Sequence, residues 1–197
     1  MATRCEALDG LGAVCISEQA LGEAVVRHLA AAGYRRFAYV SSKSDIAHTQ
    51  ARAQAIESAA EALGCTCLVR RGAMAEASAA SITSELLGGG QGKNPSQRPD
   101  AIIYDNEILT IGGYTAIHDA DLRIGHDIAV VSCEDSAVSR ALSPAVTSVS
   151  RDPAVLGAHA AAVLLNMLNG AAPYVIHEPP VSLAERESTQ GYFGTAA

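Results

Sequence analysis

At 197 residues, 49 % of them apolar and 18 % charged, the chain can bury one sizeable core, and its length predicts one or two domains. A formal net charge of −7 with only two lysines excludes the basic footprint that phosphate-backbone binding needs, so this chain alone is not expected to hold DNA. No stretch has the apolar length of a membrane span and the opening MATRCEALDG lacks the apolar core of a secretory signal, which predicts a cytoplasmic protein with no membrane partner.

In chain order, short β-branched or aromatic runs alternate with Ala-rich helical patterns, as expected of a doubly wound α/β fold with a parallel sheet covered on both faces. Strands are predicted at Val14 to Ile16, Arg36 to Val40, Thr66 to Arg70, Ala101 to Tyr104, Ile128 to Ser132 and Val146 to Val149. The first helix is expected from Gln19 to Ala32, with Leu21, Val25 and Leu29 on one face and Gly33 ending it. A second is expected from Thr49 to Leu63 before Gly64, and a third from Glu76 to Leu87, after which GGGQGKNPSQRP reads as a flexible connection. That loop fails the phosphate-binding pattern: Leu87 stands where its first glycine belongs, and Asn94 where a magnesium-binding hydroxyl belongs. The fourth helix starts at the N-cap Asn106 and repeats Leu109, Gly112, Gly113, Ala116 and Ile117, the two glycines predicting close approach to the sheet. The last is capped by Asp152, carries Pro153 in its first turn and the stripe Leu156, Ala160, Val163, Leu164 and Met167, and ends at Gly170.

The five cysteines are odd in number and scattered, which predicts reduced thiols, and the Cys65-x-Cys67 pair has no second pair to complete a zinc site. None of the six histidines has metal-ligand spacing, and no G-x-S-x-G, H-E-x-x-H or dinucleotide fingerprint is present, so neither a metal nor a cofactor nor an enzymatic activity is expected. In open α/β sheets, ligands settle in the crevice outside the carboxyl ends of the strands. The polar residues just past those ends are Ser41 to Asp45, Asn106 and Glu107, Glu134 and Asp135, and Ser150 to Asp152. Amides donate and accept, carboxylates accept from two hydroxyls and arginine donates as a fork, a mixture suited to recognising a polyol rather than to attacking one.

Several strings, in order, resemble the effector-binding core of LacI/GalR-family transcription regulators, whose fold is the type I periplasmic-binding-protein-like one. They are LGEAVVRHLAAAGYRRFAYV, PDAIIYDNEILTIGGYTAI, DLRIGHDIAVVSCEDS, LSPAVTSVSRDPAVLGAHAAAVLLNMLNG and the RES of AERESTQ. The resemblance implies a small sugar-like effector as partner, a homodimer contacting through Ser136 to Pro144, and DNA binding through a separate helix-turn-helix domain. It places Arg52 where the family arginine grips effector hydroxyls, Asn106 at the asparagine of the N-D pair, and Glu134 at the effector-binding aspartate of G-[FY]-D-D. Arg151 falls on the crossover that presents a polar side chain to the ligand, and Met74 where the family often stacks an aromatic ring on a sugar face.

The chain departs from that pattern at Glu107 for the second residue of N-D, at Ser132-Cys133-Glu134 for Gly-aromatic-Asp, and at Ala55 for a glycine. Glu134 reaches one methylene further than aspartate, which is expected to narrow the pocket or to favour a smaller or differently placed hydroxyl. The resemblance divides the chain into a remnant of an N-terminal subdomain (1–17), a nearly complete C-terminal effector-binding subdomain (18–148), a crossover with a helix of the N-terminal subdomain (149–174), and a returning strand and tail (175–197). It also implies that the apolar faces of the first strand and last helix lack their usual cover. A ligand-free dimerisation module and a transport-type sugar-binding protein are the alternative readings.

Overall fold

The computed structural model describes residues 11–43, 47–88, 98–177 and 181–191. The N-terminal MATRCEALDG, the rim residues Ser44 and Asp45, and residues 89–97 of the glycine-rich connection lie outside the described residues.

A six-stranded sheet is built from β2 (Arg36–Ser42), β3 (Thr66–Gly72), β4 (Ala101–Tyr104), β5 (Ala129–Ser132), β6 (Thr147–Ser150) and β8 (Ser182–Ala184). The spatial order is β3-β2-β4-β5-β6-β8, every pairing parallel except the last. Helices α1 (Glu18–Ala31) and α2 (Ala47–Ala62) cover one face, while α3 (Glu76–Leu87) and α4 (Glu107–Asp119) cover the other. The short α5 (Ala137–Ala141) follows β5. Because both faces are covered, Ile102 and Ile103 are both fully buried although they point to opposite sides. The strands and helices read from the sequence fall within about two residues of these bounds, as expected for fraying ends.

Two glycines explain why α4 sits so close. A Cβ at Gly113 would lie 2.0 Å from the Tyr104 ring on β4, the approach to the sheet that was expected. At Gly112 it would lie 2.1 Å from the Glu76 carbonyl oxygen, so this glycine serves contact with α3, not with the sheet. Helical spacing explains the difference, since adjacent residues point about 100° apart and face different neighbours.

The closing RES string is a clamp under the sheet. Arg186 donates to the Val146 carbonyl at 2.6 Å, and Ser188 Oγ donates to the Val130 carbonyl at 2.6 Å while accepting from the Thr147 N–H at 2.8 Å.

A second, smaller layer consists of β1 (Ala13–Cys15), α6 (Pro153–Leu168) and β7 (Val175–His177), β1 pairing with β7 in parallel. Val175–His177 thus belongs to this layer, and the return to the large sheet is made by β8. The expected apolar stripe of α6 is only partly used. Val163 is buried and, with Met167, faces β1 near Gly12, whereas Ala160 and Leu164 are exposed. Two strands cover too little area to bury the whole helix. The expectation of reduced thiols also needs correction: Cys15 is disulfide-bonded, while Cys65, Cys67 and Cys133 are free. An odd cysteine count excludes complete pairing, not a single bond.

Candidate functional site

The two layers are joined by three crossings of the chain, at β1 to α1, β6 to α6 and β7 to β8. Between them, over the carboxyl ends of β2, β4, β5 and β6, opens a cleft of about 630 Å³, a size that suits a small-molecule ligand. Its wall includes Arg52, Met74, Asn106, Glu134 and Arg151, so all five residues singled out from the sequence come together on one hollow. Of the remaining rim residues, Ser42, Asp135, Ser150 and Asp152 also face it.

Arg52 forms the floor. Its Nε donates to Glu18 Oε2 at 2.6 Å and Nη2 to Glu18 Oε1 at 3.1 Å, a fork against one carboxylate. Nη1 donates to Asp105 Oδ1 at 2.6 Å and to the Asp105 carbonyl at 3.3 Å. Asp105 in turn accepts from the Tyr39 hydroxyl. Burial opposes the charge on Arg52, but the hydrogen bonds to Glu18 and the field of both carboxylates outweigh it and hold its pKa above the ordinary value. Burial likewise raises Tyr39 above the usual phenol range and pushes the Cys133 thiol up to about 12. The floor is therefore a fixed ionic network, with Cys133 a neutral thiol beside it.

Asn106 has two tasks. Its Oδ1 caps α4 by accepting from the Leu109 N–H at 3.1 Å, which leaves Nδ2 to point at the cleft, where it donates to Met74 Sδ at 3.0 Å. A thioether is a weak acceptor, so that donor is available to a better one. Glu134 is exposed, its loop fixed by Ser132 Oγ, which donates to the Glu134 carbonyl at 2.9 Å. Among the described residues Glu134 has no ion-pair partner; its Oε2 accepts only a long contact, 3.4 Å, from the Glu107 N–H. Asp135 is held at 2.9 Å by Arg140 and 2.8 Å by Arg186, which fits a structural role. Arg151 lies 3.9 Å from Glu18, its pKa lowered by burial. Met74 is 49 % exposed and supplies a soft, non-aromatic wall.

Three acidic or basic residues of the wall or floor were not among the site residues named from the sequence: Glu18, Asp105 and His48. Asp105 had a usable signal, being the first polar residue beyond the buried run AIIY. Glu18 had a fainter one, an acid directly after the N-cap Ser17, where the helix dipole alone already accounts for it. Among the described residues no group of three or more His, Cys, Asp or Glu side chains could hold a metal ion, and no helix is long and apolar enough to cross a membrane.

A parallel sheet with a small second layer, three crossings and a polar cleft between them defines a periplasmic-binding-protein-like domain. Residues 26–189 match the family model described as a periplasmic binding protein-like domain, and the chain belongs to that family, as an effector-binding domain of the LacI type. The lactose operon repressor of Rhizobium radiobacter is 40 % identical over 73 residues, covering 37 % of this chain and 65 % of the relative. The lactose operon repressor of Escherichia coli K12 is 33 % identical over 91 residues, covering 46 % of this chain and 25 % of the relative. A LacI family transcriptional regulator from Bifidobacterium animalis superposes with a TM-score of 0.84 at 28 % identity, over 93 % of this chain and 66 % of that one. The chain thus spans between a quarter and two thirds of the length of these relatives. All three are transcriptional regulators or repressors.

Proposed function

We propose that the cleft binds a small sugar-like effector, a sugar or sugar derivative, and that the chain is the sensing and dimerisation region of a cytoplasmic, non-enzymatic transcription regulator of the LacI type. DNA is contacted through a separate domain. The observation that carries this reading is the convergence of Arg52, Asn106, Glu134 and Arg151 on one cleft of about 630 Å³. Their side chains offer donors and acceptors in the mixture that hydroxyl groups require.

The effector acts by population shift. It touches the large sheet through Asn106 and Glu134 and the crossing through Arg151, so it favours whichever arrangement of the two layers brings those contacts together. That preference is the coupling free energy passed to the dimer and onward to DNA. Calorimetric titration of the chain with a panel of neutral sugars and sugar phosphates tests the sensing step. Saturable heat from at least one is expected; a folded sample that gives none from any sugar removes the reading.

The second reading, a dimerisation module with no ligand of its own, draws on the exposed leucines of α6, Leu164, Leu165 and Leu168, and on the Ser136 to Pro144 segment around α5. Light scattering separates the two: a dimer indifferent to every sugar favours the second, and a monomer at high concentration opposes dimerisation in both. The transport-type reading makes a different forecast, sugar binding by a monomer.

A further inference from the structure

Taking the cleft as the effector site, as proposed above, we infer that Glu18 sets the charge class of the ligand: by occupying Arg52 it makes the cleft a receptor for uncharged polyols and closes it to phosphorylated and acidic ones.

A guanidinium carries five N–H donors. On Arg52, Nε and one Nη2 hydrogen go to Glu18, and Nη1 serves the carboxylate and carbonyl of Asp105. One Nη2 hydrogen remains, enough for one hydroxyl but not for the paired contact a phosphate or carboxylate needs. Two carboxylates against one guanidinium also leave the floor negative rather than positive.

Helix amino ends take anions elsewhere, but those of α1, α4 and α6 give backbone N–H groups to side-chain caps. Ser17 Oγ accepts from the Ala20 N–H on α1, Asn106 Oδ1 from Leu109 on α4, and Asp152 Oδ1 from Ala154 and Val155 on α6. Each of these ends also carries a carboxylate, Glu18, Glu107 and Asp152 respectively, which opposes the partial positive charge of the helix terminus. Arg151 is the one other guanidinium lining the cleft among the described residues, with His48 also on the wall, and Glu18 Oε1 lies 3.9 Å from Arg151, so its charge too is opposed at short range. Glu134 faces the cleft with no ion-pair partner among the described residues and repels an anion directly. Hydroxyls meet none of these obstacles. Glu134 accepts from them, and Asn106 Nδ2 exchanges the Met74 sulfur for a ligand oxygen.

The test is calorimetry on the full chain with matched pairs on one skeleton: ribose and ribose 5-phosphate, glucose and glucose 6-phosphate, galactose and galacturonate. For any skeleton that binds, the anionic member is expected to bind at least about tenfold more weakly at low salt, with the gap closing as salt screens the repulsion. Glu18→Gln is expected to narrow the gap by about tenfold, through gain for the anionic member, with circular dichroism confirming the fold. Should that variant not fold, the wild-type ratio and its salt dependence decide alone. Anionic members that bind as tightly as their neutral partners, or a folded Glu18→Gln with an unchanged ratio, overturn the inference while leaving the cleft an effector site. No binding by any of the six removes the effector site and this inference with it.

Discussion

The six-stranded sheet and the β1–β7–α6 layer are made of similar residue types and meet opposite fates. On the sheet, Ile102, Ile103, Val130 and Val131 are all fully buried, whereas on α6, the most apolar of the long helices, Leu164, Leu165 and Leu168 are 59, 58 and 74 % exposed. Apolar composition makes a segment able to be buried; a second layer of sufficient area decides whether it is. The large sheet has helices on both faces, and α6 has two three-residue strands on one side.

That contrast can be broken or sharpened by substitution, each variant followed by urea unfolding with circular dichroism. The largest effect is expected at the ionic floor: Arg52→Met leaves Glu18 and Asp105 uncompensated and costs about 3–5 kcal/mol. Ile103→Ala, in the middle of the covered sheet, costs about 2–5 kcal/mol through lost burial and the cavity left behind. Asn106→Ala removes the cap of α4 and costs about 1 kcal/mol, with loss of sugar affinity as a separate readout of its free amide. The smallest effect is expected on α6, where Leu165→Ser shifts stability by no more than about 0.5 kcal/mol. A cost at Leu165 as large as that at Ile103 contradicts the exposure of this helix in the isolated chain. It points to a second copy covering it.

The difference between the layers also marks how far the sequence could be read. Strands of the large sheet were legible because uninterrupted apolar runs such as AIIY and AVVS belong to a sheet buried on both faces, and helix ends because Asn106, Asp152, Gly33 and Gly64 punctuate them chemically. The partly bare face of α6 was legible only through the family resemblance, since its own pattern reads as a helix to be buried. At the site, residues just past strand ends could be named one at a time. The partnership of Arg52 with Glu18 and Asp105 could not, because it joins positions 34 and 53 residues apart through the packing of α1 and α2 on the sheet. Arg52 thus reads from sequence as a free fork and stands in the fold as a nearly saturated one.

The most direct test of the central claim, that one cleft between the crossings is the effector site, is a heteronuclear NMR titration of the chain with the neutral sugar giving the largest calorimetric response. Amide shifts are expected to cluster at Asn106, Cys133 to Asp135 and Ser150 to Asp152, with the outer strand β3 and the exposed face of α6 unmoved. Saturable shifts confined to β3 or α6, with those three segments silent, would contradict it.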